Sequence, residues 1–145
     1  MNWKEIPITD LIPQRSLMVM VDCVMRMDGD LCVTQFKVTS DCLFLDGSLL
    51  SSSGLIENMA QSCAARMGAL NVERHEAIKI GFIGDIRGVE ILGHPKVDDT
   101  LTTVVSIVVD VFNLTLADVE VKVGDKVMAR ARMKIASIET NNKQL

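Results

Sequence analysis

The stretch Ser51–Leu70, SSSGLIENMAQSCAARMGAL, decides how the rest of the chain is read. Leu55, Ile56, Met59, Ala60, Cys63, Ala64 and Met67 recur in it at helical spacing and form one wide apolar face. The serines that open it suit an N-cap, because a serine hydroxyl accepts a hydrogen bond from an amide that the first turn leaves unpaired. The spacing predicts a helix from Gly54 to about Leu70, the one convincing helix of the chain. Ala60, Ala64, Ala65 and Gly68 keep its sides small, so a sheet or a second helix can come close.

Outside this helix the pattern is strand. Met18–Met25 and Leu31–Val38 are rich in β-formers and flank Met27-Asp-Gly-Asp30, a hairpin signal. Phe44–Leu50 reads as irregular. Ile78–Ile83 and Arg87–Leu92 read as two segments around Gly84. Leu101–Phe112 alternates and is rich in valine and threonine, and Leu114–Val123 and Lys126–Ile138 flank a second turn at Gly124-Asp125. Residues 1–10 read as a lead-in, and the polar composition of 140–145 leads to the expectation of a flexible tail. Periodicity alone gives an α+β domain over residues 1–145, one long helix on an antiparallel sheet.

Composition removes several classes of function. The 145 residues suit one domain with a real core. A net charge of −4 and a pI of about 5.1 argue against a nucleic-acid partner. Cys23, Cys32, Cys42 and Cys63 form no C-x-x-C pair and sit among apolar residues, so reduced thiols are expected. His75 and His94 stand far apart with no paired cysteines, which leaves no zinc pattern, and both read as surface residues. Neither a Walker loop nor a dinucleotide-binding glycine pattern occurs, so no cofactor is signalled. No secretory h-region and no membrane-spanning run is visible, and a cytoplasmic protein is expected.

Chemistry concentrates at the start of the helix. Glu57 lies in its first or second turn, and Gln61 follows one turn later on the same side. A carboxylate there is favoured by the helix dipole. The Gly54 amide is a candidate for receiving a thioester carbonyl, since glycine lets a ligand approach the backbone. Spacing alone favours an ordinary helix acid with a solvated neighbour.

Several segments in order carry a resemblance. Ile12-Pro-Gln-Arg-Ser-Leu-Met-Val-Met-Val-Asp22 resembles the "L-P-H-R-x-P-F-x-x-V-D" opening of 3-hydroxyacyl-(acyl carrier protein) dehydratases. Gly54-Leu-Ile-Glu-Asn-Met-Ala-Gln61 resembles their helix start, with one fewer residue before the acid, and is closer to the "G-I-E-Y-M-A-Q" helix of dehydratase-like proteins from aryl-polyene pigment clusters; the chain also resembles the version of this family found in flexirubin-type pigment clusters. Gly81-Phe-Ile-Gly-Asp-Ile-Arg87 and Val97-Asp-Asp-Thr-Leu101 resemble the strands that follow, so the similarity runs from about Leu11 to Ile138. The resemblance implies a hotdog fold. It also implies a site built between subunits, in which a histidine removes the α-proton, the helix acid protonates the leaving hydroxyl and the helix amide polarises the carbonyl.

On that resemblance Glu57 matches the acid and Gly54 the carbonyl-binding amide, with Phe82 beside the substrate. The histidines do not match. Ser48 stands where the base belongs and Gln14 where the "L-P-H" histidine belongs, and neither side chain titrates near neutral pH. Three outcomes follow: an altered dehydratase in which Glu57 acts through water, a pseudoenzyme that binds acyl carrier protein or its cargo, or a subunit that pairs with a homologous dehydratase supplying the histidine. A thioesterase is the competing enzyme, with Glu57 as base and Gln61 orienting water. Arg130, Arg132 and Lys134 share one face of a strand and form either a docking stripe for an acidic acyl carrier protein or a solvated outer face. Arg66 and Arg87 are weaker candidates. Met59 and Met67 belong either to the core or to an acyl channel. Exposed sheet edges lead to the expectation of a homodimer.

Overall fold

A computed structural model describes residues 1–74 and 79–139. Two 3-10 turns, Trp3–Glu5 and Ile8–Asp10, open the chain. They are followed by β1 (Cys23–Asp28), β2 (Leu31–Lys37), the short β3 (Leu45–Asp46) and β4 (Leu49–Leu50), α1 (Ser52–Arg74), β5 (Lys79–Ile91), β6 (Thr100–Val111), β7 (Leu114–Val123) and β8 (Lys126–Glu139). Six strands form one sheet in the order β1-β2-β6-β7-β8-β5, every pairing antiparallel. Among the described residues α1 is the one α-helix, and it packs against this sheet. No described helix is long and apolar enough to cross a membrane.

Alternation places the core. Cys32, Thr34 and Phe36 of β2, Leu101, Thr103 and Val105 of β6, Val119 and Val121 of β7, and Ala129, Ala131 and Met133 of β8 are buried, two residues apart on each strand. Leu55, Met59, Cys63, Ala65 and Ala69 of α1 are buried with them. The lead-in lies directly on the helix: a Cβ at Gly68 would fall 2.0 Å from the Leu11 carbonyl oxygen.

The structure corrects three readings of the sequence. The segment 18–22 is not strand. Leu17 has φ +76°, and the backbone of Met18 and Met20 bonds to side chains of α1, so β1 begins only at Cys23. Residues 79–91 form one strand rather than two, because register shifts between Ile83 and Asp85, and between Arg87 and Glu90, absorb Gly84 and Gly88 as bulges. The helix starts earlier and ends later than expected. His75, Ile78 and residues 140–145 lie outside the described residues.

β5 is a sheet edge, with Phe82, Ile83 and Val89 exposed along it. The outer face of the sheet is laced with ion pairs. Arg132 grips Asp118 through two bonds of 2.8 and 3.1 Å, and Arg130 lies 3.5 Å from Glu120. The register explains both, since Asp118 stands opposite Arg132 and Glu120 opposite Arg130.

Candidate functional site

The start of α1 is held by Ser51, whose carbonyl receives the Leu55 amide at 3.1 Å and whose hydroxyl receives the Gly54 amide at 3.1 Å. This corrects the role expected of Gly54, whose amide is already occupied. Its lack of a side chain serves packing instead: a Cβ there would lie 2.6 Å from Leu50 and 2.8 Å from Phe44. The amides of Ser52 and Ser53 have no protein acceptor among the described residues, as is usual for the first turn of a helix.

Glu57 sits in the second turn, half-buried. Its Oε1 accepts a hydrogen bond from Gln61 Nε2 at 2.9 Å. Gln61 is fully buried, and its amide is committed elsewhere as well. Nε2 also donates to the Met18 carbonyl at 2.7 Å, while Oε1 accepts from the Met20 amide at 2.6 Å. These partners fix which end of the amide is which, because a carbonyl needs the N–H and an amide needs the oxygen. Both N–H bonds of Gln61 are spent, so Gln61 positions Glu57 rather than orienting a water.

Beneath this lies a buried polar network that sequence reasoning missed. Asn58 Nδ2 donates to the Met20 carbonyl at 2.7 Å, and Thr103 donates to Asn58 Oδ1 at 2.6 Å. Ser62 donates to the Asn58 carbonyl at 2.8 Å and shares a 2.8 Å bond with Thr34. The available signal was polar residues at inward positions: Asn58 and Ser62 one helical turn apart, Thr34 and Thr103 in phase with buried strand residues.

A cavity of about 410 Å³ runs along the helix from Ala60 past Ala64 to Met67 and Gly68. Its roof is the lead-in from Thr9 to Arg15, and its far wall is Gly81, Ile83 and Ile135. It lies within the usual range of small-molecule pockets. Gln14 is on its wall, with Oε1 buried and unpartnered. The Arg15 guanidinium shapes this roof by donating to the carbonyls of Ile12, Pro13 and Gln14 at 2.8–3.0 Å. Met67 lines the cavity whereas Met59 is core. Phe82 does not line it. The alternation that turns Gly81 and Ile83 toward the cavity leaves Phe82 on the other face, 52% exposed. Cys63, also on the wall, is no nucleophile, because burial pushes its thiol up to about 12. A broader hollow of about 510 Å³ on the outer sheet face is lined by the ion-paired residues Asp118, Glu120, Arg130 and Arg132, away from Glu57.

Ser48 is exposed in the β3–β4 turn, and its carbonyl accepts from Val97 at 3.0 Å. His94 is exposed too, with Nδ1 2.9 Å from the Leu50 carbonyl oxygen. Arg66 is buried and reaches Asp110 at 3.5 Å, and Arg87 pairs with Asp85, so neither is a free cation.

A long helix packed against a six-stranded antiparallel sheet, with a held carboxylate in its second turn and a cavity along the helix from Ala60 to Gly68, defines a hotdog fold. The chain belongs to the ApeP dehydratase family, which matches residues 6–145. Among solved structures it is similar to the dehydratase heterocomplex ApeI:P from Xenorhabdus doucetiae, at 20% identity over 95% of this chain and 93% of that one, with a TM-score of 0.83. The E. coli PaaI protein from the phenylacetic acid degradation operon aligns at 17% identity over 78% and 80%, with a TM-score of 0.63. A hypothetical thioesterase with coenzyme A from Streptococcus pneumoniae aligns at 15% identity over 82% and 87%, with a TM-score of 0.66. These likenesses establish the hotdog fold. No curated protein matches the chain by sequence.

Proposed function

We propose that this chain is a subunit of a cytoplasmic 3-hydroxyacyl thioester dehydratase of fatty-acid or polyene pigment biosynthesis, acting on acyl groups carried by acyl carrier protein. The observation that carries this reading is Glu57, held by a locked Gln61 one turn from the apolar cavity that suits an acyl chain. Glu57 would donate the proton with which the 3-hydroxyl leaves as water. Ser48 is no base, so a homologous subunit would supply a histidine across a pairing of β5 edges. The heterocomplex of the similar ApeI:P structure supports a heteromer over the homodimer expected from sequence.

The test is product analysis with a 3-hydroxyacyl carrier thioester, for the chain alone and co-assembled with a homologous dehydratase subunit. Enoyl thioester formed faster by the assembly supports the reading. Free acid would show a thioesterase instead, and full activity of the chain alone would remove the need for a partner subunit.

For the carrier, Arg130, Arg132 and Lys134 remain the proposed docking stripe. Arg130 and Arg132 already face acids, while Lys134 has no ion pair among the described residues. Reversing Arg130 and Arg132 to glutamate should weaken carrier binding about 10-fold and spare small thioester analogues. Equal losses on both ligands in a titration would discard the stripe.

A further inference from the structure

We infer that His94 is the proton-accepting residue this chain contributes, replacing the base that Ser48 cannot be. The inference rests on the dehydratase reading. A two-fold pairing of homologous subunits creates two sites, and Glu57 furnishes the acid of only one of them.

The placement is specific. Four links stitch the loop 94–97 to the hairpin that precedes α1. The Leu50 amide donates to the Pro95 carbonyl at 2.6 Å, Leu49 bridges Lys96, the Val97 amide donates to the Ser48 carbonyl at 3.0 Å, and His94 Nδ1 meets the Leu50 carbonyl at 2.9 Å. Pro95 is buried, which anchors the loop. The imidazole is therefore tethered two residues before Ser52, whose amide is open.

The tether also sets the chemistry. A carbonyl oxygen only accepts, so Nδ1 carries the proton in the neutral ring. Nε2 then holds the free lone pair, and no protein group occupies it among the described residues. A histidine whose Nδ1–H is held by a backbone carbonyl, with Nε2 open, is a ring oriented to accept a proton. In the step assigned to it, the Cα–H bond of the acyl thioester breaks and the proton moves to Nε2. The electron pair moves onto the thioester oxygen, which the open helix amides stabilise. Return of the proton restores the thioester. Where a 3-hydroxyl is present, the pair instead forms the C=C bond as hydroxide leaves with a proton from the acid.

Exchange of the α-proton needs only the base and the polarised carbonyl, so it isolates this residue. The experiment incubates the full-length chain with an acyl-pantetheine thioester in deuterated buffer and follows deuterium at Cα by mass spectrometry. The wild type exchanges, and His94→Asn loses at least about 100-fold. Asparagine can still donate to the Leu50 carbonyl, so the tether and the thermal midpoint persist. Free imidazole restores part of the rate to His94→Ala, which a merely structural histidine would not allow. Absence of exchange in the wild type, or wild-type exchange in His94→Asn, overturns the inference. Failure of the Glu57 reading shows elsewhere, as unchanged elimination in Glu57→Gln.

Discussion

Glu57→Gln should lower enoyl formation by the assembled dehydratase at least about 100-fold while leaving carrier binding intact. The substitution preserves shape, and the new amide oxygen can still accept from Gln61, so the helix and the strap at residues 18–20 stay in place. What disappears is the exchangeable acid proton. Because hydroxide is a poor leaving group, that proton matters mainly as the C–O bond breaks, and the loss should fall on kcat with KM nearly unchanged. The product under each condition separates the two enzyme readings. Residual enoyl thioester keeps the dehydratase assignment, whereas free acid that vanishes in the variant makes Glu57 the base of a thioesterase. Turnover unaffected by Glu57→Gln would leave the chain a scaffold whose acid lies in another subunit.

The sequence announced the helix and the strands after β5 because each buries one face. Leu101, Thr103 and Val105 alternate inward, as do Ala129, Ala131 and Met133, and the residues between them, Thr102, Val104, Arg130 and Arg132, are charged or only partly buried. The same logic failed at Met18–Asp22. That run is apolar enough for a strand, yet its backbone bonds to Asn58 and Gln61, some forty residues away. No local propensity reports a side chain that competes with a strand for backbone groups. β5 was read as two pieces for the opposite reason: glycines that locally signal breaks are accommodated as bulges by a continuous partner, β8.

The site was half legible. Glu57 stood out as a charge on an apolar helix, whereas the commitment of Gln61 depends on the position of the strap. Likewise the arginines of β8 could be counted, but the acids that pair with them lie on β7. Only the register places Asp118 against Arg132 and Glu120 against Arg130. Gly54 illustrates a further limit. A glycine at a helix start reads equally as a ligand contact or as clearance for a neighbour, and Leu50 and Phe44 decide for clearance.

Asn58→Leu should cost about 2–4 kcal/mol, the loss expected when two buried groups are left without partners. For a domain of this size that is a fall of roughly 10 °C in the thermal midpoint. Leucine is close in volume, so the cost comes from stranding rather than from a cavity. The Thr103 hydroxyl and the Met20 carbonyl, both inside the core, lose their bond to Asn58, the one side chain recorded against each among the described residues. Adding Thr103→Val removes one stranded group, and the double variant should regain part of the loss, a coupling that independent sites would not show. Equal and additive losses would mean that the network fills space without holding the helix to the sheet. The consequence reaches the site, because Asn58 and Gln61 grip the same strap at Met20. When Asn58 lets go, one of the two α1 side chains that grip residues 18–20 is lost, and Glu57 loses part of the rigidity of its positioning amide. Asn58→Leu should therefore depress turnover at temperatures well below its own midpoint, and wild-type turnover there would uncouple the network from the acid.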